Sequence, residues 1–402
     1  MMWRKDVHFH NQRSMDFLLL IILALAILGL IMKQPFIYLL TGLIGAYFLI
    51  TILYDRYVGN RLELRNERMT IKLFPEEEGH IVFEFQNKSF IPMINGEFRF
   101  RSNRNIRFTK HPSPADKYWR IIDVPLSITG RKKIKLALPF IAEDRGIAKI
   151  SNINYSFPHL LQFQNMRIDY NAPYLLEIVV FPKLLPVQRL EIAFQNQGGS
   201  QRVPFSPMED LLVPLGTREY SYSDPFHRIN WKATAKTQKM QTNVYERVID
   251  MSFLFIVNIG AFYGMRHESA TDYEDYLSYA AFLTKYAAEK EFPYELYINS
   301  RRPGKTPYMH LPEGEGKNHY AHALEMLARI PHEAMVVPFE HMLYRIGQQL
   351  HTSKTIILIG ELTSEAKEIV DNWEKHHRVL QLEIQNNQAV LTPRKRGRIN
   401  AK

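Results

Sequence analysis

The chain has no cysteine, which excludes a disulfide framework, a cysteine nucleophile and thiolate metal sites. That absence is consistent with a reducing compartment. Acidic residues are also in short supply: 41 Asp and Glu stand against 51 Lys and Arg, leaving a formal charge of +10. A surplus of cations points to acidic partners, whether anionic lipid headgroups, nucleic acid or an acidic protein face. No helix-turn-helix pattern and no zinc finger occurs, and with a bilayer restricting access nucleic acid is set aside. What remains is a chain of 402 residues, too long for one ordinary core, so two or three domains are expected.

Two apolar runs open the sequence. Phe17 to Met32 and Phe36 to Leu53 carry no charge, and a membrane helix needs roughly 17 to 25 residues, which the first run reaches only marginally. Lys33-Gln34-Pro35 separates them, and the proline interrupts a continuous helix. Residues 1–55 therefore read as a two-helix transmembrane hairpin in the lipid bilayer. Arg4, Lys5 and Arg13 precede the first run, and Arg56, Arg61, Arg65 and Arg68 follow the second, against Lys33 alone between them. The positive-inside rule then places both termini in the cytoplasm of a two-span protein of the cell membrane. A signal peptide is the rival reading, but no small-x-small cleavage site follows Met32 and a second apolar run comes at once.

Residues 56–182 change to short alternating runs such as MTIKLF, HIVFEF and GEFRFR, broken by turn residues, the pattern of an antiparallel β-sandwich. Nothing in them forms a catalytic constellation. Residues 183–250 begin with an irregular loop carrying Gln197-Gly-Gly-Ser200 and end in a basic, aromatic stretch. From 251 to 392 strands and helices alternate, with SFLFIVNIG and TIILIGEL as buried strands and Thr271 and Glu274 as a capping box, which predicts an open, mostly parallel sheet in an α/β domain. Residues 393–402, with Arg394, Lys395, Arg396 and Arg398, read as a basic tail.

The stretch from Gly216 to Asp250 mixes six cations with Tyr220, Tyr222, Phe226, Trp231 and Tyr245, too polar for core and too aromatic for a linker. Asp224-Pro225 predicts a helix from Pro225 to about Thr237, capped by the aspartate. Such a helix would set Arg228, Lys232, Lys236 and Lys239 on one face, with Ile229, Trp231 and Ala235 turned inward.

Gly216, Arg218, Tyr220, Asp224, Arg228, Ile229, Trp231, Lys232 and Ala235 follow the order of a signature that opens G-x-R-x-Y and runs on through an aspartate, I-x-W and an alanine. On these residues the chain resembles the domain-of-unknown-function family 58. Arg145-Gly146, Phe157 to Leu161 and Val180-Phe181-Pro182 resemble further family elements. The resemblance implies two membrane spans, a β-rich segment and a von Willebrand factor A-like, Rossmann-like α/β domain. It also implies work beside MoxR-type AAA ATPases and transglutaminase-like membrane proteins in the assembly or maturation of other proteins. Ser223 stands where the family has glycine, and His227 and Lys236 where it favours arginine. In A-like domains a metal site, where present, is a D-x-S-x-S motif after the first strand. Here Asn258, Gly260 and Phe262 hold those positions, so the oxygen ligands for a hard cation are missing and neither metal nor cofactor is expected.

Arg218, Asp224 and Arg228 are either an ion-pair network holding a turn or a docking surface, and Trp231 is either a packing anchor or an interface hot spot. The basic stripe reads as a solvated face, a lipid contact or an acidic-partner contact. Asp224 with His227 lacks a nucleophile beside it, and His376-His377 is a lone pair, so no enzyme is expected. The expected function is a membrane-anchored cytoplasmic interaction or scaffold protein. The alternative is a metal-dependent adhesion protein or a hydrolase using the α/β domain.

Overall fold

The computed structural model describes residues 3–6, 10–111, 114, 116–161, 164–194, 209–247, 252–263, 266–269, 273–304, 306–385 and 388–394. The chain divides into two compact units, Met1–Phe181 and Pro182–Lys402.

In the first unit the helices His10–Met32 and Pro35–Tyr57 follow one another through Lys33-Gln34, where Lys33 takes a left-handed φ of 49° and Pro35 starts the second helix. Pro35–Tyr57 is long and apolar enough to cross a membrane, with a mean hydropathy of 2.2. Only Thr51 and Tyr54 in it are buried, while Leu39, Leu43, Leu49 and Ile50 face outward, so it is not a core helix of the unit. Among the described residues the two-span hairpin expected over residues 1–55 is corrected to one candidate span. In the first helix the apolar stretch Asp16–Met32 is shorter, at the lower edge of the roughly 17 to 25 residues a membrane helix needs.

The rest of this unit is sheet. Residues alternate in burial along Met93–Asn103 and Glu78–Asn87, turning Phe98 and Phe100 of one strand and Phe83 and Phe85 of the other to a common core. A seven-stranded sheet runs Trp3–Asp6, Asn165–Tyr170, Gly146–Pro158, Leu176–Val180, Met69–Leu73, with Met93–Asn103 also paired to Gly146–Pro158 and Trp119–Ile128 beyond it. A four-stranded sheet runs Leu62–Leu64, Glu78–Asn87, Lys133–Ala142, Ile106–Phe108. Rings of the two sheets meet, with the Phe83 and Phe98 centroids 5.0 Å apart. Leu176–Val180 and Met69–Leu73 pair parallel, so the larger sheet is mixed where purely antiparallel pairing was expected.

The second unit holds a seven-stranded sheet in the order Val187–Gln188, Gln388–Pro393, Arg378–Gln385, Thr355–Ile359, Phe253–Val257, Tyr294–Arg301, Tyr308–Gly314. Phe253–Val257 is buried throughout, as a central strand covered on both faces should be. The von Willebrand factor A-like domain expected over residues 251–392 is not borne out. The sheet is mixed: Tyr308–Gly314 and Gln388–Pro393 turn back antiparallel on their neighbours, and Val187–Gln188 joins from outside that range. Across the described residues, strands outweigh the eight α-helices. Hairpin returns and helical crossovers present the same strand patterns in sequence, which is why the alternation misled. Thr271 of the predicted capping pair, the Gln197 to Ser200 loop and the tail beyond Arg394 lie outside the described residues, while Glu274 stands in the first turn of the helix Tyr273–Glu289. Arg394 itself is no tail residue: it bonds Asp371 at 2.7 Å and approaches Glu374 at 3.5 Å.

One half-buried polar cluster sits in this unit. Glu295 accepts from the Tyr297 hydroxyl at 2.7 Å, meets His310 Nε2 at 2.7 Å and lies 3.2 Å from Lys354 Nζ, which also reaches Glu313 at 2.5 Å. Burial alone would raise the Glu295 pKa, but the hydrogen bonds from His310 and Tyr297 and the charge of Lys354 outweigh it and hold the carboxyl at about 2. A folded-state pKa below the ordinary 4.5 contributes stability that is present above that value and lost as pH falls toward about 2. Urea midpoints of the second unit should therefore drop between pH 5 and pH 3 by less in Glu295→Gln than in the parent. Equal acid sensitivity of the two would show that this cluster contributes nothing.

Candidate functional site

The signature stretch folds as a ribbon with a crown. Glu209–Glu219 and Gln241–Arg247 pair antiparallel, with Gly216 opposite Val244 beside an irregularity in register, Arg218 opposite Thr242 and Glu219 opposite Gln241. Residues 220–240 are carried at the end of this pair. Arg218 Nη2 donates to Asp224 Oδ1 at 2.6 Å, the Ser221 amide donates to Asp224 Oδ2 at 2.9 Å, and the Tyr220 hydroxyl donates to the Asp224 carbonyl at 3.1 Å. The Arg218 hydrogen bond, followed by that of Ser221, lowers the Asp224 pKa, so the carboxylate stays charged and the turn stays tied.

Those bonds explain why the helix predicted from Pro225 does not form there. The Asp224 carboxylate is engaged by Arg218 and Ser221 and caps nothing. Phe226–Arg228 makes a short 3₁₀ turn, and Ile229 then extends (φ −63°, ψ 125°), buries its side chain and bridges Thr242. The α-helix runs only over Trp231–Thr237, with Asn230 as its cap: the Ala233 amide donates to Asn230 Oδ1 at 2.9 Å, and Asn230 Nδ2 donates to Asn243 Oδ1 at 2.8 Å. Gln238 closes it in a left-handed conformation, φ 57°.

The predicted basic stripe is broken up accordingly. The Arg228 guanidinium lies 5.8 Å from the Tyr245 ring centroid, and Lys239, past the helix, pairs with Glu219 at 3.1 Å. Lys232 and Lys236 remain exposed one turn apart, and among the described residues neither has an ion-pair partner. Trp231 does not pack inward. It is 62% exposed, Phe226 66% and Tyr222 fully so, and the Phe226 and Trp231 rings meet edge to face at 6.1 Å. Met240 and Val244 are exposed as well, while Ile229 alone of this group is buried. Ala235, expected inside, faces solvent. The outcome is a rigidly tied tip bearing aromatic side chains among cations.

At the position where A-like domains hold metal, Asn258 is part of an asparagine lock. Its Oδ1 accepts from Asn299 Nδ2 at 2.8 Å and from the Gly260 amide at 3.2 Å, and its Nδ2 donates to the Glu361 carbonyl at 2.7 Å. Asn299 Oδ1 in turn accepts from the Ile259 amide at 2.8 Å. These amides fasten the ends of the central strands and are occupied by protein groups. Phe262 lies on the strand Gly260–Tyr263, with its backbone paired to His267. Among the described residues no three His, Asp or Glu gather as a metal group would require.

Asp224 turns to Arg218, and no hydrogen bond or ion pair to His227 forms. His377 Nδ1 accepts from the Lys354 amide at 3.3 Å, and burial lowers its pKa. The Glu295 cluster escaped the sequence because its members come from three separate places in the chain: the strands Tyr294–Arg301 and Tyr308–Gly314, and Lys354. No protein-family model matches the chain, and no curated protein matches it either.

Proposed function

We propose that this is a membrane-anchored interaction protein whose crown docks an acidic protein partner. One observation carries the reading: Tyr222, Phe226 and Trp231 are exposed together on a support held by side-chain hydrogen bonds. Large exposed aromatics on a rigid frame are what interface hot spots are made of, and a side chain already ordered in the free protein loses little entropy on binding. Lys232 and Lys236 supply charge complementary to an acidic surface. The anchor is the helix Pro35–Tyr57, and Arg56, Arg61, Arg65 and Arg68 after it favour a cytoplasmic position for the body that follows. The resemblance of the signature supplies a candidate partner, a MoxR-type AAA ATPase, and a transglutaminase-like membrane protein as a further member of such an assembly.

Association with an acidic partner is accelerated by long-range attraction that salt screens. Lys232→Glu with Lys236→Glu is expected to slow association with the isolated candidate ATPase and to remove most of its dependence on ionic strength, with dissociation little changed. Rates and salt slopes identical to the parent would remove the crown from the interface.

A further inference from the structure

We propose that the turn His159–Leu161 inserts into the membrane interface beside the anchor helix, giving the first unit a second lipid contact; this rests on the reading of Pro35–Tyr57 as the membrane anchor. The helix does not leave the bilayer through a loose linker. Its last residues enter the β-sheet body directly, because Tyr54 and Val58 belong to the same core as the sheets. The body is therefore held against the membrane surface.

How deep it reaches is set by two contacts with one turn. His159 Nε2 lies 2.9 Å from Asp55 Oδ1, and its ring stands edge-on to Tyr54 at 4.6 Å, both near the helix end. Two residues on, the Leu161 carbonyl accepts a 2.6 Å hydrogen bond from the Tyr47 hydroxyl. Tyr47 precedes Leu53, the last aliphatic residue before the charged Asp55 and Arg56, by six positions, or about 9 Å of helix rise. The turn thus descends along the helix from the level of its charged end to the level of its apolar part.

Its chemistry suits that depth. Lipid solvates no backbone amide or carbonyl, so inserted polar groups need partners within the protein. Here the His159 amide donates to the Gln164 carbonyl at 2.8 Å, the Leu161 amide donates to His159 Nδ1 at 3.0 Å, and the Leu161 carbonyl is bonded by Tyr47. The His159 side chain is enclosed, with both ring nitrogens engaged. Residues 157–166 contain no Lys, Arg, Asp or Glu. What the turn shows outward is Leu160, 47% exposed, while Leu161 packs on the core. The same end of the sheet sends the chain toward the first apolar helix: Asp6, the last residue of Trp3–Asp6, pairs with Arg167 just past the turn.

A chain without cysteine makes the test direct. Leu160→Cys, Leu43→Cys and Ser223→Cys, each labelled with an environment-sensitive nitrobenzoxadiazole dye, are reconstituted as full-length protein in phosphatidylcholine–phosphatidylglycerol vesicles. Quenching is then read with lipids brominated at shallow or deep acyl positions. The expected result is strong quenching at position 43, severalfold stronger shallow quenching at 160 than at 223, and a blue-shifted emission at 160. Position 43 quenched with 160 no different from 223 overturns the inserted turn and leaves the anchor standing. No quenching at 43 overturns both.

Discussion

Replacing Phe226 and Trp231 together by alanine is expected to weaken partner binding by about 4 kcal/mol, on the order of a thousandfold, since hot-spot truncations cost about 2 kcal/mol or more each. The same double variant should unfold at an unchanged temperature. Both rings project from the fold, so their removal leaves no internal cavity. Ile229→Ala provides the contrast: Ile229 is 5% exposed while its backbone bridges Thr242, and loss of the side chain should cost ~2 to 5 kcal/mol of local stability through cavity formation. Melting curves beside binding isotherms separate the two cases. A double alanine variant that binds like the parent would mean that these aromatics are exposed for some other reason.

Gly360→Ala is expected to destabilise the second unit by about 2 to 6 kcal/mol, combining a non-glycine residue at strained φ with overpacking. Gly360 adopts φ +104°, and a Cβ there would stand 2.4 Å from the Asn258 carbonyl oxygen and 3.2 Å from the Asn258 Cβ. The nearest obstacle is backbone, so no rotamer change relieves it. Asn258 cannot retreat without disturbing the bonds to Asn299 and Glu361 that tie the strand ends. Against a typical total of about 5 to 15 kcal/mol, that loss is large, and urea unfolding followed on the full chain should show an early transition. A wild-type urea midpoint would show that the asparagine lock is more pliable than its geometry indicates.

Part of the packing could be seen in the sequence. The run SFLFIVNIG announces a strand buried on both faces, and Phe253–Val257 is the centre of its sheet. Alternation along GEFRFR places Phe98 and Phe100 inside. Strand direction was not legible, because pairing is settled by residues far apart in the chain, and the A-like expectation failed on it.

At the crown, the composition pointed to contact, but the geometry was hidden. Asp224 satisfies the usual rule for a helix cap, yet Arg218, six positions earlier, binds its carboxylate first, and the cap passes to Asn230. That shift rotates Trp231 from the core to solvent and takes Arg228 and Lys239 out of the stripe. Local spacing could not reveal that a side chain at the end of the ribbon would compete for the carboxylate.

Whether the crown meets a protein is read by placing a photo-crosslinking benzoylphenylalanine at Tyr222, the most exposed of the three aromatics, in the full-length protein in native membranes. Irradiation should yield one predominant protein adduct that mass spectrometry identifies, that the Phe226→Ala, Trp231→Ala background loses and that high salt diminishes. Adducts confined to lipid, or a protein adduct indifferent to both the alanines and salt, would contradict it.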